Sequence, residues 1–292
     1  MSKSKVKYAG LALSLAFGLI IAGCGSDGRG EGNGSQDELE IAYVERDSEV
    51  ASTYVISQVL EDEGYDVTVT SIDNALMWEA VANGEADGMV SAWLPLTMGE
   101  QYEAYADQVV ELGHNLEGAK IGLVVPEYME ADSIEDLSDE ASQTITGIDA
   151  GAGVVESAES AVEEYGNLKG WTVQTSSPGA MVTELRRAYD NREEIVVTGW
   201  TPHWKFQEYD LKYLDDPDGV FGEAETIDTI VREGLEEDAP EAYQILENFY
   251  WEPEDIEEVM LAIDNGAFPE DAAVDWVKEN QDKVEEWTED IE

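Results

Sequence analysis

Two stretches hold the residues best suited to chemistry. Val90-Ser91-Ala92-Trp93-Leu94-Pro95 and Val197-Thr198-Gly199-Trp200-Thr201-Pro202-His203-Trp204 each run from an apolar, β-type segment into Trp-x-Pro. Indole faces attract cations, most strongly when the cation is desolvated. A third indole, Trp78 in Ala75-Leu76-Met77-Trp78, belongs to a helix that starts near the same end of its unit. Taken singly, each Trp reads equally well as a half-buried core residue. Two at matched strand ends argue instead for a shared surface.

The stretch Gly147-Ile148-Asp149-Ala150-Gly151-Ala152-Gly153-Val154 is the second candidate, a Gly-rich turn between a strand and a helix. Free N–H groups at a helix start suit an anion. A dinucleotide turn would need a third glycine where Glu156 stands, and no acid near position 170 could hold a ribose. A carboxylate is the better guest; a tight turn with no ligand is the alternative. Aromatic faces for a quaternary ammonium and amides for a carboxylate together describe a betaine. Three faces at ~2 kcal/mol each, with a carboxylate held by two amides, reach the roughly 8 kcal/mol of a micromolar complex.

The elements that must position these residues read as two α/β units. The first runs from a strand over Leu39–Val44 through a helix with Val50, Ile56, Val59 and Leu60 to a strand over Val67–Ile72. A helix over Ala75–Ala82 and a strand over Met89–Ala92 complete it. The second has strands over Ile145–Asp149, Trp171–Thr175 and Glu194–Thr198, with helices over Val154–Tyr165 and from Pro178 to Tyr189. Ile41 to Trp93 and Ile148 to Trp200 span the same distance. The βαβαβ order predicts parallel strands covered by helices, with ligands outside the strands' carboxyl ends. Apolar runs at Lys120–Pro126 and Ile227–Val231 predict two crossover strands. The tail from Ala239 reads as helices in which Trp251, Trp276 and Trp287 pack.

The N-terminus stands apart. Lys3, Lys5 and Lys7 precede an apolar run, Leu11–Ala22, that is short for a membrane span. Ile21-Ala22-Gly23-Cys24 resembles a lipobox, which predicts a signal peptide over 1–23 and lipid on Cys24, the only cysteine. Residues 24–38 read as a flexible, lipid-anchored tether at the outer face of the cytoplasmic membrane. A lone cysteine leaves no intramolecular disulfide. The 67 acids against 15 Lys and Arg give a formal net charge of −52, spread along the chain. That field repels nucleic acid and anionic headgroups and predicts a protein built for high salt, as in halophiles.

At these residues the chain resembles the substrate-binding lipoproteins of glycine betaine ABC importers. The resemblance rests on Asp47-Ser48-Glu49-Val50-Ala51-Ser52, Met77-Trp78, Ser91-Ala92-Trp93-Leu94-Pro95, Gly147-Ile148-Asp149 and Thr198-Gly199-Trp200-Thr201-Pro202-His203-Trp204. It implies an α/β, two-lobed periplasmic-binding-protein fold of type II, with lobe 1 over 39–122 plus 228–292 and lobe 2 over 123–227. It implies a cage of Trp78, Trp93 and Trp200, with the ligand carboxylate on the amides of Gly153 and Val154. It implies a monomer that passes its ligand to a membrane-spanning permease, with no cofactor, no metal and no catalysis. Some relatives carry a carboxylate-binding histidine just after the Trp-Leu-Pro phrase. Here that position is Met98, which has no proton to donate; Thr97 beside it has one. His203 and Trp204 read as lobe packing.

Two rivals stand beside this reading. A sugar-binding lipoprotein would stack Trp on pyranose faces but needs many side-chain donors and acceptors. A secreted hydrolase finds no Gly-x-Ser-x-Gly elbow and no His-Glu-x-x-His in a chain with two histidines. Residue types alone do not choose among glycine betaine, proline betaine, carnitine, choline and a sulfonium analogue.

Overall fold

In the computed structural model the described residues are 37–289. The signal segment 1–23, Cys24 and nearly all of the tether lie outside them.

Strand β1 (Glu38–Tyr43) leads through Arg46 into helix α1 (Asp47–Asp62) and back to β2 (Asp66–Ser71), which pairs parallel with β1. Helix α2 (Asn74–Asn83) stops at Gly84, whose φ of 70° is the left-handed conformation that glycine adopts without strain. Strand β3 (Gly88–Leu94) is buried at all seven positions, as a continuous apolar run requires of a strand covered on both faces. Helix α3 (Gly99–Tyr105) follows, and then β4, which runs 18 residues from Val109 to Pro126.

The second unit repeats the plan. It contains β5 (Thr144–Thr146), α4 (Gly153–Glu164), β6 (Thr172–Gln174), α5 (Pro178–Asn191) and β7 (Val196–Thr201). Ser177 caps α5, its hydroxyl accepting from the Ala180 amide at 3.2 Å, and Pro178 occupies the first turn. A short helix α6 (Lys205–Glu208) and strand β8 (Leu211–Tyr213) lead to β9 (Glu225–Arg232). Five helices close the chain: α7 (Leu235–Asp238), α8 (Pro240–Asn248), α9 (Pro253–Asp264), α10 (Pro269–Glu279) and α11 (Gln281–Trp287). Helix α1 packs on α9 and α10. Trp251, Trp276 and Trp287 are buried among these helices and against one another, Trp276 stacked on Trp287 at 5.7 Å.

The strands order β2-β1-β3-β9-β4-β7-β5-β6, with β8 beside β4. Within each unit the pairing is parallel, but the whole sheet is mixed, because β9 runs antiparallel to both β3 and β4, and β4 antiparallel to β7. Strand β4 carries the chain from one half to the other: through Ala119 it pairs with β9, and from Lys120 with β7. Apolar pattern alone predicts only its second part. The first part is interrupted by register shifts near Glu111, His114 and Glu117, and such bulges break the alternation by which a strand is recognised. Among the described residues no helix is long and apolar enough to cross a membrane.

Candidate functional site

The carboxyl ends of β1, β3, β5 and β7 meet at one cavity, lined by residues after β1, β3 and β5 and by Trp200 of β7 itself. Trp93, next to last in β3, pairs with Ile227 of β9; Trp200, next to last in β7, pairs with Ile121 of β4. The two indoles thus come from the two halves of the sheet, and both line the cavity, at 5% and 4% exposure. After each Trp the chain turns through a cis X-Pro bond, Leu94-Pro95 and Thr201-Pro202.

The Gly-rich turn forms the opposite wall. Helix α4 begins at Gly153, and the amides of Val155 and Glu156 already bond to the Ala152 carbonyl. The first two amides, of Gly153 and Val154, donate to no other described residue, and both residues line the cavity. A Cβ on Gly153 would sit 2.3 Å from the Thr97 carbonyl oxygen of the other half. Only glycine lets the two walls approach so closely.

Thr97 and Met98 also line the cavity. The Thr97 hydroxyl is already committed, donating to Glu225, whose carboxylate also accepts from the amides of Leu96 (2.6 Å) and Thr97 (2.8 Å). A carboxylate that organises this turn leaves Thr97 no hydroxyl proton for an anion in the cavity. Met98 presents a buried thioether.

Trp78 stands elsewhere. It is wholly buried in α2, edge-on to Tyr102 at 6.2 Å, with no partner for its Nε1, and it is not among the residues lining the cavity. Its side chain lies in the core against Tyr102 of α3. The third wall comes from the start of α1, whose Asp47-Ser48-Glu49 is part of the family resemblance but is not among the expected ligand residues. Arg46, just before α1, and Ser48 and Glu49 in its first turn line the cavity. The Arg46 guanidinium donates to Glu49 through Nη1 (2.9 Å) and to Asp149 through Nη2 (3.0 Å) and Nε (3.3 Å). Burial works against the Arg46 charge, but Glu49 and Asp149 outweigh it and hold the guanidinium above its usual range. Burial pushes the Glu49 carboxyl up; Arg46, the Val44 amide and the Ser91 hydroxyl pull it back only in part. The signal for this wall was positional: Arg46 to Glu49 follow a strand's carboxyl end just as Thr97 and Gly153 do.

Behind Trp200 lies a buried polar cluster. The His203 ring meets Trp200 edge-on at 4.7 Å, and the Lys205 Nζ lies 4.2 Å from the Trp200 ring centre. Asp47 accepts from the Trp204 Nε1 at 3.3 Å and lies 3.5 Å from the His203 Nε2. Burial, aided by Lys205, drives His203 down to about 4. Burial also drops the Lys205 ammonium well below its usual range. His203 and Trp204 are packing residues of the cavity's back wall.

A family model described as the substrate binding domain of ABC-type glycine betaine transport systems matches residues 37–279. The glycine betaine/carnitine transport binding protein GbuC of Listeria monocytogenes is 51% identical over 162 residues, 55% of this chain and 54% of that protein. The chain thus spans about half the length of that curated relative. The crystal structure of lactococcal OpuAC, closed on glycine betaine, superposes with a TM-score of 0.85 at 50% identity, covering 87% of this chain and all of that one. A choline-binding protein of an ABC transporter, in complex with choline, superposes at 0.80 with 27% identity, over 87% and 92% of the two chains. A match over 37–279, with the same two-unit α/β architecture in both structures, makes this chain a member of the family of substrate-binding domains of ABC-type glycine betaine transport systems.

Proposed function

We propose that the cavity binds glycine betaine, or a closely related quaternary-ammonium solute, outside the cytoplasmic membrane and presents it to the permease of an ABC importer. The observation that carries this reading is the convergence of Trp93 and Trp200, from opposite halves of the sheet, on a cavity that the open amides of Gly153 and Val154 also line. A desolvated trimethylammonium gains from the indole faces what no hydrogen bond could supply. A carboxylate gains from two amides at a helix start.

In this reading the halves are lobes, over 39–122 with 228–292 and over 123–227. The ligand draws them together because only the closed form presents both indoles and the amides at once. The aromatic wall is built on Trp93 and Trp200, with Trp78 in the core beside Tyr102. Cys24 carries lipid, and the lobes work as a monomer without catalysis.

Titration calorimetry in about 1 M salt is the test, against glycine betaine, proline betaine, carnitine, choline, a sulfonium analogue and two sugars. Micromolar binding of a zwitterion, with choline weaker because it offers no carboxylate to the amides, is the expected result. Heat from a sugar and none from any onium compound would overturn the proposal.

A further inference from the structure

Arg46 has two carboxylate partners of opposite character. Glu49 lies three positions on, in the first turn of α1, and is 2% exposed; it also accepts from Val44 and Ser91. Asp149 lies 103 positions away, in the turn before α4 in the other half of the sheet, and its side chain is 40% exposed. Water can take over Asp149 at little cost, but not Glu49. Separating the halves therefore breaks the Asp149 side and leaves Arg46 still neutralised by Glu49.

The pair also stands between two spaces. Arg46 lines the aromatic cavity and also a groove shared with Glu45, Ser177 and Pro178. Asp149 lines a second groove with Glu45, Asp73 and Ser177, and both grooves share Glu45, Ser177 and Pro178. A guanidinium and a carboxylate joined by two parallel bonds form a partition that holds only in one relative placement of the halves.

We propose that the Arg46–Asp149 pair is the gate of the cavity: it positions the closed wall and sets how long a ligand stays, without itself recognising the ligand. This rests on the reading of the cavity as a solute site. Asp47, next in the chain, holds His203 and Trp204 independently, so removing the gate leaves that contact in place.

Glycine betaine release, followed by stopped-flow tryptophan fluorescence, tests the gate. Asp149→Asn should raise the dissociation rate about tenfold, while association changes far less. Asp149→Glu, which keeps the charge, should restore slow release in part. Arg46→Ala combined with Asp149→Asn should release no faster than Arg46→Ala alone, because the two residues form one contact. Arg46→Ala strands the buried Glu49 and risks the fold, so the half-exposed Asp149 decides. An unchanged release rate in Asp149→Asn, or rates that multiply in the double variant, overturns the gate. Small-angle scattering of the ligand-free proteins separates this inference from the ligand assignment. If the wild type fails to bind glycine betaine but Asp149→Asn is more expanded, the solute reading falls and the gate stands. Equal radii of gyration in that case would remove both.

Discussion

Replacing Trp200 by Leu isolates the electrostatic part of the proposed recognition. Trp200 is 4% exposed and pairs with Ile121, so truncation to Ala would also leave a hole worth ~3–5 kcal/mol of stability. Leu keeps part of the apolar bulk against Ile121 and removes the π face; the volume it loses weakens a cationic ligand and its uncharged isostere alike. A desolvated cation–π contact is worth ~2 kcal/mol, which converts to about a 30-fold loss of affinity. The natural control is 3,3-dimethylbutanoate, which has the shape and carboxylate of glycine betaine with carbon in place of the cationic nitrogen. Absolute preference for one over the other mixes cation–π attraction with the cost of dehydrating the cation. The change in that preference on mutation does not, because dehydration is the same for both proteins. Calorimetry on wild type and Trp200→Leu with both ligands should show the preference for the cation falling about 30-fold. If both ligands weaken equally, Trp200 supplies apolar contact only, and the cation–π argument fails.

Three further outcomes follow from the same geometry. Gly153→Ala places a methyl 2.3 Å from the Thr97 carbonyl and 2.6 Å from its Cγ2; betaine affinity by calorimetry should drop more than tenfold, while the ligand-free melting temperature changes little, since Ala suits the first turn of a helix. His203 has a folded pKa of about 4 against an unfolded 6.5, so between those values the unfolded chain holds the extra proton and stability falls as pH falls. About 2.5 units correspond to ~3 kcal/mol lost from pH 7 to pH 4; melting curves of His203→Gln should show a shallower decline over that window, and parallel curves would place the acid sensitivity elsewhere. With a net charge of −52, the melting temperature should climb steeply from dilute buffer to molar KCl as screening relieves acid–acid repulsion. A flat curve would sink the high-salt reading.

What the sequence determined by itself is local. The strand–turn–helix punctuation of both units, with Pro178 at a helix start and Gly84 at a helix end, was readable because each signal acts within a few residues. The placement of Trp93, Trp200, Gly153 and Val154 at strand carboxyl ends was readable for the same reason. Tertiary structure decided what depends on distant partners. Thr97 looks like a free donor until Glu225, 128 positions away, takes its hydroxyl. Trp78 looks like a cavity wall until the packing of α2 against α3 turns it to Tyr102. Arg46 looks like one cation in an acidic chain until the fold sets it between Glu49 and Asp149. The antiparallel insertion of β9 between β3 and β4 was equally hidden, because pairing direction is fixed by where the chain returns. Periodicity reports which face of an element is buried; which charge meets which across a cleft is settled only when the two turns are brought together.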